Sequence, residues 1–275
     1  MNSAGGEASP SGGRLSGRCV MLTGASGGIG SALCAALLAE GARVVAVGRD
    51  HARLQALTSG PGGHRVQPIV ANLDDAIERR RLCSEVAALP HPPAILVLAH
   101  ARSAFGLFES QSEDELQALI HTNLLAPMQL IHALLPTLRA QSQPAVVAVG
   151  STFGSLAFPG FAAYSATKFG LRGLIEGLAR EYADSGVAFQ YLSPRATRTA
   201  FNTPAVEAMN REMKVAQDDP DEVAALLVDA IARGRRRLQI GWPEKLFARL
   251  NGALPGLVDR SLRAQLPVVR RHARP

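Results

Sequence analysis

Hydrophobic positions along this chain come in two kinds of run. Short and largely continuous apolar stretches occupy residues 19–22, 44–47, 66–70, 95–98, 146–149 and 187–192. They lack the alternation of a half-exposed strand, so they predict strands buried on both faces. Longer stretches of mixed apolar and polar positions predict helices over 28–40, 50–58, 74–89, 112–139 and 163–184. A seventh, short strand is expected near 238–240. Strand–helix alternation with few hairpin signals implies right-handed βαβ units. The fold class is therefore α/β: a doubly wound parallel sheet of about seven strands with helices on both faces. Ligands of such sheets bind beyond the carboxyl ends of the strands, at the topological switch point. The glycine-rich and polar motifs of this chain all fall at such ends.

Composition fits this architecture. Of the 275 residues 47% are apolar but only 5% aromatic, so the core is expected to be built mostly from Ala, Val, Leu and Ile. The length and the absence of an interior linker imply one α/β domain over residues 17–241. Residues 1–16, rich in Gly and Ser with no apolar run, read as a disordered leader and not a signal peptide. No apolar stretch is expected to reach bilayer-spanning length. Cys19, Cys34 and Cys83 are widely spaced with no Cys-x-x-Cys pair, which argues against disulfides or zinc and for a reduced, cytoplasmic setting. No metal-ligand cluster stands out, and no metal is expected.

Charge changes the picture at one end only. Of the net charge of +6, residues 242–275 carry +5, from seven Lys/Arg against Glu244 and Asp259. The nearly neutral body argues against a nucleic-acid partner. In the tail, Leu246, Phe247, Leu250, Leu254, Leu257, Val258, Leu262, Leu266, Val268 and Val269 recur at roughly helical spacing, broken at Leu254-Pro255-Gly256. Two basic amphipathic helices joined by a Pro-Gly turn are predicted. They have three uses open to them: lying on an anionic membrane, capping a substrate pocket, or packing on the body or a partner subunit.

The candidate chemistry lies in two motifs. Gly24 follows the first strand, and Gly28 and Gly30 open the first helix in Thr23-Gly24-Ala25-Ser26-Gly27-Gly28-Ile29-Gly30. Side chains absent at these positions let backbone turn tightly and approach a pyrophosphate at a positive helix N-terminus. The second motif is Tyr164-Ser165-Ala166-Thr167-Lys168, with Ser151 thirteen residues before the tyrosine. At i and i+4 the phenol and the ammonium share one helix face, and the cation favours the phenolate. Carbonyl reduction needs such a proton source opposite a hydride source.

In this order and spacing the motifs resemble those of the short-chain dehydrogenase/reductase family, over about residues 17–240. The resemblance implies a Rossmann-like fold and a homodimer or homotetramer. It gives Tyr164 the acid/base role, Lys168 a further hold on the nicotinamide ribose, and Ser151 a hydrogen bond to the substrate carbonyl. Asn123 matches the asparagine whose helix kink holds a relay water. The implied cofactor set is Gly24, Ser26, Gly28, Ile29, Gly30, Arg49, Asn72, Leu73, Ala99, Tyr164, Lys168, Pro194, Thr197 and Thr199. Members that bind NAD usually carry a carboxylate after the second strand. Here Gly48 stands there, followed by Arg49, a forked cation suited to a 2′-phosphate, so NADP(H) is expected. Asn72 stands where the family usually has an Asp reading the adenine amino group; its amide oxygen can still accept.

Two positions depart from the family pattern. Leu98-Ala99-His100-Ala101 replaces Asn-Asn-Ala-Gly, which removes a strand-stabilising amide and puts an imidazole beside the cofactor cleft. Pro194-Arg195 replaces Pro-Gly, which points to a different loop path or a contact with an anionic substrate. Residues 199–219 lie where the family keeps its variable lid. Phe201, Val206, Met209, Met213 and Val215 there, with Phe153, Phe158 and Phe161, suggest an apolar pocket. The expectation is an NADP(H)-dependent oxidoreductase interconverting an apolar aldehyde or ketone and its alcohol. A 3-oxoacyl thioester reductase and an NADP(H)-binding sensor or scaffold are the alternatives.

Overall fold

The computed structural model describes residues 13–273. Seven strands form one sheet: β1 (Cys19–Thr23), β2 (Arg43–Gly48), β3 (Val66–Val70), β4 (Ile95–Leu98), β5 (Ala145–Val149), β6 (Ala188–Ser193) and β7 (Arg237–Gln239). The helices are α1 (Gly28–Ala39), α2 (His51–Ala56), α3 (Ala76–Ala87), α4 (Glu113–Ile120), α5 (Ala126–Arg139), α6 (Ala162–Glu181), α7 (Pro204–Glu212), α8 (Pro220–Ala232), α9 (Trp242–Ala253) and α10 (Pro255–His272). Strand order is β3-β2-β1-β4-β5-β6-β7 with every pairing parallel. The winding reverses between β1 and β4, and that switch point opens the cleft described below.

Neighbouring residues on each strand go to opposite layers. Val20 and Leu22 join Leu33 and Leu37 of α1 and Val223 and Leu227 of α8 on one face. Met21 joins Leu82 of α3, Leu130 and Leu134 of α5, and Leu171 and Ile175 of α6 on the other. Both sides of β1 are therefore apolar, which is why its sequence shows no alternation. Each such buried Leu is worth about 1.5–3 kcal/mol relative to exposure.

Several expectations are corrected. Helix α8 was not foreseen, although Asp219 caps it, Pro220 opens it, and Val223, Leu227 and Ile231 recur on its buried side. The single helix expected over 112–139 is divided by a π-helical turn at His121–Leu125. This continuous run, Glu113–Arg139, is long and apolar enough to cross a bilayer by length and composition, contrary to the expectation. Its Leu130, Ile131, Leu134 and Leu138 are instead buried against the sheet. The leader expected over 1–16 lies outside the described residues up to residue 12. Residues 13–16 are held in place: Leu15 is buried, and Arg14 bonds Glu40 and Asp229 at 2.7 and 2.6 Å.

A third apolar cluster lies beyond the sheet's carboxyl edge. Leu119, Phe161, Tyr164, Val206 and Met209 meet Val269 and Ala273 there, so the end of α10 packs on the body. Arg271 and His272 both pair with Glu212 at the end of α7, the imidazole at 2.7 Å.

Candidate active site

At the switch point the end of β1 must turn sharply into α1. Gly24 does so with φ of 68°, and a Cβ there would stand 2.8 Å from the His100 backbone. Helix α1 starts at Gly28 with no side-chain cap and no acidic residue in its first turn. Helices α3, α4, α7 and α8 are capped by Asp75, Ser112, Thr203 and Asp219. The N–H groups opening α1 are thus left for an anionic ligand, as a dinucleotide pyrophosphate requires.

The imidazole at 100 takes over the tie expected to be lost. His100 Nδ1 lies 2.7 Å from Thr23 Oγ1, which also accepts the Ala99 N–H at 3.2 Å, so the ends of β1 and β4 are joined. His100 Nε2 is shut off from solvent without a partner among the described residues. Burial, and then the Lys168 charge, lower the imidazole pKa to about 4. Thr23 and His100 are cofactor-side residues that sequence reasoning did not place together.

At the end of β2, a Cβ on Gly48 would stand 2.9 Å from Ser26 Oγ and 3.3 Å from Leu54. A side chain at the position that could carry an NAD-selecting carboxylate would have to displace the Ser26 hydroxyl. Arg49 lines the cleft and makes no hydrogen bond or ion pair among the described residues. Asn72 Oδ1 already accepts the Asp74 N–H at 3.2 Å, so it keeps one lone pair for an adenine.

The groups expected to transfer a proton line the same cleft. Tyr164 and Lys168 lie on the first half of α6, both buried, with the Lys168 Nζ 5.7 Å from the Tyr164 ring centroid. Lys168 Nζ donates to the Val149 carbonyl at 3.3 Å. Burial lowers the lysine pKa to about 8 and raises that of the phenol to about 12, with Ser151 opposing the rise. Tyr191, read from sequence only as a strand residue, supports the site from below. Its hydroxyl donates to the Lys168 carbonyl at 3.1 Å, and its ring lies under Gly150 and Gly154, on either side of Ser151.

Ser26, Gly28, Ile29, Gly30, Leu73, Ala99, Ser151, Pro194, Thr197 and Thr199 line the same cleft with Gly24, Arg49, Asn72, Tyr164 and Lys168, a cavity of about 530 Å³. Asn123 does not line it. Buried in the π turn, it accepts the Arg102 N–H at 2.7 Å and donates to the Arg102 carbonyl at 3.0 Å and Thr167 Oγ1 at 3.2 Å. Its amide pins the loop after β4 to α6, one layer behind the phenol.

The part of the cleft expected to take the substrate is apolar. Phe153 packs on Phe158, Phe161 and the edge of Tyr164, with centroids 5.4, 5.0 and 6.4 Å apart, and Phe201 closes the other side of Tyr164 at 6.2 Å. Val206, Met209 and Met213 line it from the lid, as expected, and Gln265 from α10 was not foreseen. Arg195 is not free for an anionic substrate. It grips Asp218 at 2.7–3.0 Å and Glu244 of α9 at 3.6 Å, clamping the base of the lid to the tail.

The cleft joins an uncapped helix N-terminus to a Ser–Tyr–Lys constellation, and the short chain dehydrogenase family model matches residues 18–210. The chain is a short-chain dehydrogenase/reductase. A short chain dehydrogenase of Pseudocercospora fijiensis is 29% identical over 239 residues, spanning 79% of this chain and 77% of that one. The 3-oxoacyl-[acyl-carrier-protein] reductase FabG of Escherichia coli is 28% identical over 178 residues, spanning 65% and 72%. Among solved structures, a short-chain dehydrogenase from Streptomyces avermitilis is 31% identical with a TM-score of 0.75, covering 92% of this chain and 95% of that chain. One from Sphingobium yanoikuyae in complex with NADPH is 26% identical with a TM-score of 0.73, covering 88% and 95%. As a member of this family the chain is an oxidoreductase, and the nicotinamide cofactor of such enzymes supplies or takes the hydride when bound.

Proposed function

We propose that this enzyme is an NADP(H)-dependent carbonyl reductase, and in reverse an alcohol dehydrogenase, acting on an apolar aldehyde or ketone. One observation carries the reading: the Tyr164 phenol stands where the nucleotide half of the cleft meets the aromatic half. Ser151 holds the substrate oxygen and Tyr164 gives it a proton; Lys168 stabilises the phenolate left behind. The Phe153–Phe158–Phe161 wall rewards an apolar substrate and offers a charged one no partner. Arg49, with Gly48 before it, supports the preference for a 2′-phosphate.

Kinship with the Escherichia coli reductase favours a second reading, a 3-oxoacyl thioester as substrate. NADPH consumption with a panel of medium-chain aldehydes and ketones beside β-ketoacyl thioesters separates the two. Turnover of the simple carbonyls is expected; turnover confined to the thioesters overturns the first reading in favour of the second.

We also infer self-association. Ile120, Leu125 and Met128 along the α4–α5 run, and Phe169 on the adjoining α6, are 52, 39, 36 and 39% exposed. A second copy of the chain would cover this apolar face.

A further inference from the structure

Helix α10 buries Val258 and Val269, α9 buries none of its described side chains, and both helices carry exposed apolar ones. Val258 and Val269 of α10 are turned inward. An amphipathic pair whose apolar stripe were fully docked would leave only polar side chains outside. Here Trp242, Leu246, Leu254 and Leu257 are 72, 48, 54 and 60% exposed. On α9, Trp242, Leu246 and Ala253 share one exposed helical face with Lys245 and Arg249 along its border. On α10, Arg260, Arg263 and Arg270 lie on the side away from the buried valines. Among the described residues, the ion pairs of the tail are those of Glu244 with Arg195 and of Arg271 and His272 with Glu212. Among the described residues Lys245, Arg249, Arg260, Arg263 and Arg270 are exposed with no carboxylate paired to them, against the single exposed carboxylate Asp259 on the same two helices.

We propose that the outward face of α9 and α10 docks on an anionic lipid bilayer, with Trp242 and the Leu254–Leu257 elbow entering the headgroup boundary. Interfacial helices have this make-up: an aromatic and aliphatic face bordered by Lys and Arg. A second copy of the chain is a poorer occupant, because pairing this face with itself brings cations against cations. The inference is independent of the substrate assignment.

Trp242 is the chain's one tryptophan, so its fluorescence reports on this face directly. The test titrates the full-length protein with vesicles of phosphatidylserine and phosphatidylcholine in equal parts, or of phosphatidylcholine alone. Only the anionic vesicles are expected to shift the emission to the blue and to co-sediment the protein, with both effects lost at about 0.5 M salt. Arg260→Glu with Arg263→Glu should weaken binding by roughly tenfold or more while NADPH binding and the melting temperature stay unchanged. Unshifted emission with no co-sedimentation at low salt overturns the proposal, as does undiminished binding by the charge-reversed variant. A dimer that dissociates on Trp242→Ser and Leu257→Ser, seen by light scattering, would reassign the face to a second copy.

Discussion

At its nucleotide end the cleft is walled by backbone and short side chains at the tips of adjacent strands. At its substrate end it is walled by long apolar side chains from β5–α6, the lid and the tail, which are far apart in sequence. The first wall leaves little freedom: Gly24 and Gly48 are confined by neighbours within 2.9 Å of where a Cβ would stand, and Thr23 and His100 lock β1 to β4. The second rests on mutual packing of Phe153, Phe161, Met209 and Val269, where one side chain can be exchanged without moving a strand. A rigid wall suits a ligand common to many enzymes, and an adjustable one suits a substrate that differs between them.

Substitution at the junction should have the largest effect. Tyr164→Phe keeps the packing at both ends and removes the transferable proton. Turnover should fall by about 10²–10⁴ or more, with the NADPH dissociation constant nearly unchanged. Steady-state kinetics beside a cofactor titration checks this, and full activity would mean that another group supplies the proton.

The nucleotide end should be sensitive to acid. The imidazole of His100, with its folded pKa lowered to about 4 from 6.5, binds its proton less readily in the folded than in the unfolded chain. Its contribution is therefore complete above about pH 6.5 and is lost as the pH falls towards 4, by up to about 3 kcal/mol. Urea unfolding of wild type and His100→Asn across that range should show a shallower acid decline in the variant. Parallel curves would show that the lowered pKa does not couple to folding.

Cofactor discrimination should depend on a single side chain. Arg49→Ala should weaken NADPH by about tenfold to fiftyfold and leave NADH alone, since only a charge-assisted phosphate pair is lost. Equal affinity of the unmodified enzyme for both dinucleotides would remove Arg49 from the role. The smallest effect belongs to the substrate wall. Val269→Ala removes a fully buried side chain of α10 and should cost about 1–2 kcal/mol of stability. It should raise the KM for the carbonyl more than that for NADPH, and an equal rise in both would separate α10 from the substrate.

The same contrast governs what could be read from the chain in advance. Strand positions and the nucleotide-end glycines were legible because each depends on local chemistry: continuous apolar runs, or turns that a Cβ would block. Helix α8 follows directly on the segment read as lid, which ends at Asp219; Asp219 and Pro220 are start signals, and Val223, Leu227 and Ile231 follow at helical spacing. The tie between His100 and Thr23, the support of Lys168 by Tyr191, and the reach of Gln265 into the cleft had no local signature. Each joins segments that only the folded sheet brings together. Arg195 shows the limit from the other side: a cation beside the cofactor suggested an anionic substrate, and the partners it found were Asp218 and Glu244.

The π-helical turn at His121–Leu125 gives the helical run through α4 and α5 two different facings. Leu119, before it, belongs to the cluster of Phe161, Tyr164 and Met209; Leu130, Ile131 and Leu134, after it, belong to the layer under the sheet. Each residue of an α-helix advances the facing by about 100°, and a wider turn shifts that phase with no loop between the halves. The turn thus acts as a phase adaptor between the sheet and the pocket. Deleting one residue within it would restore a regular helix in which α4 and α5 keep their present facings, because the wide turn only absorbs the extra residue. Asn123 would lose its hold on the Arg102 backbone, with Leu119 still in the aromatic cluster and every strand still in register.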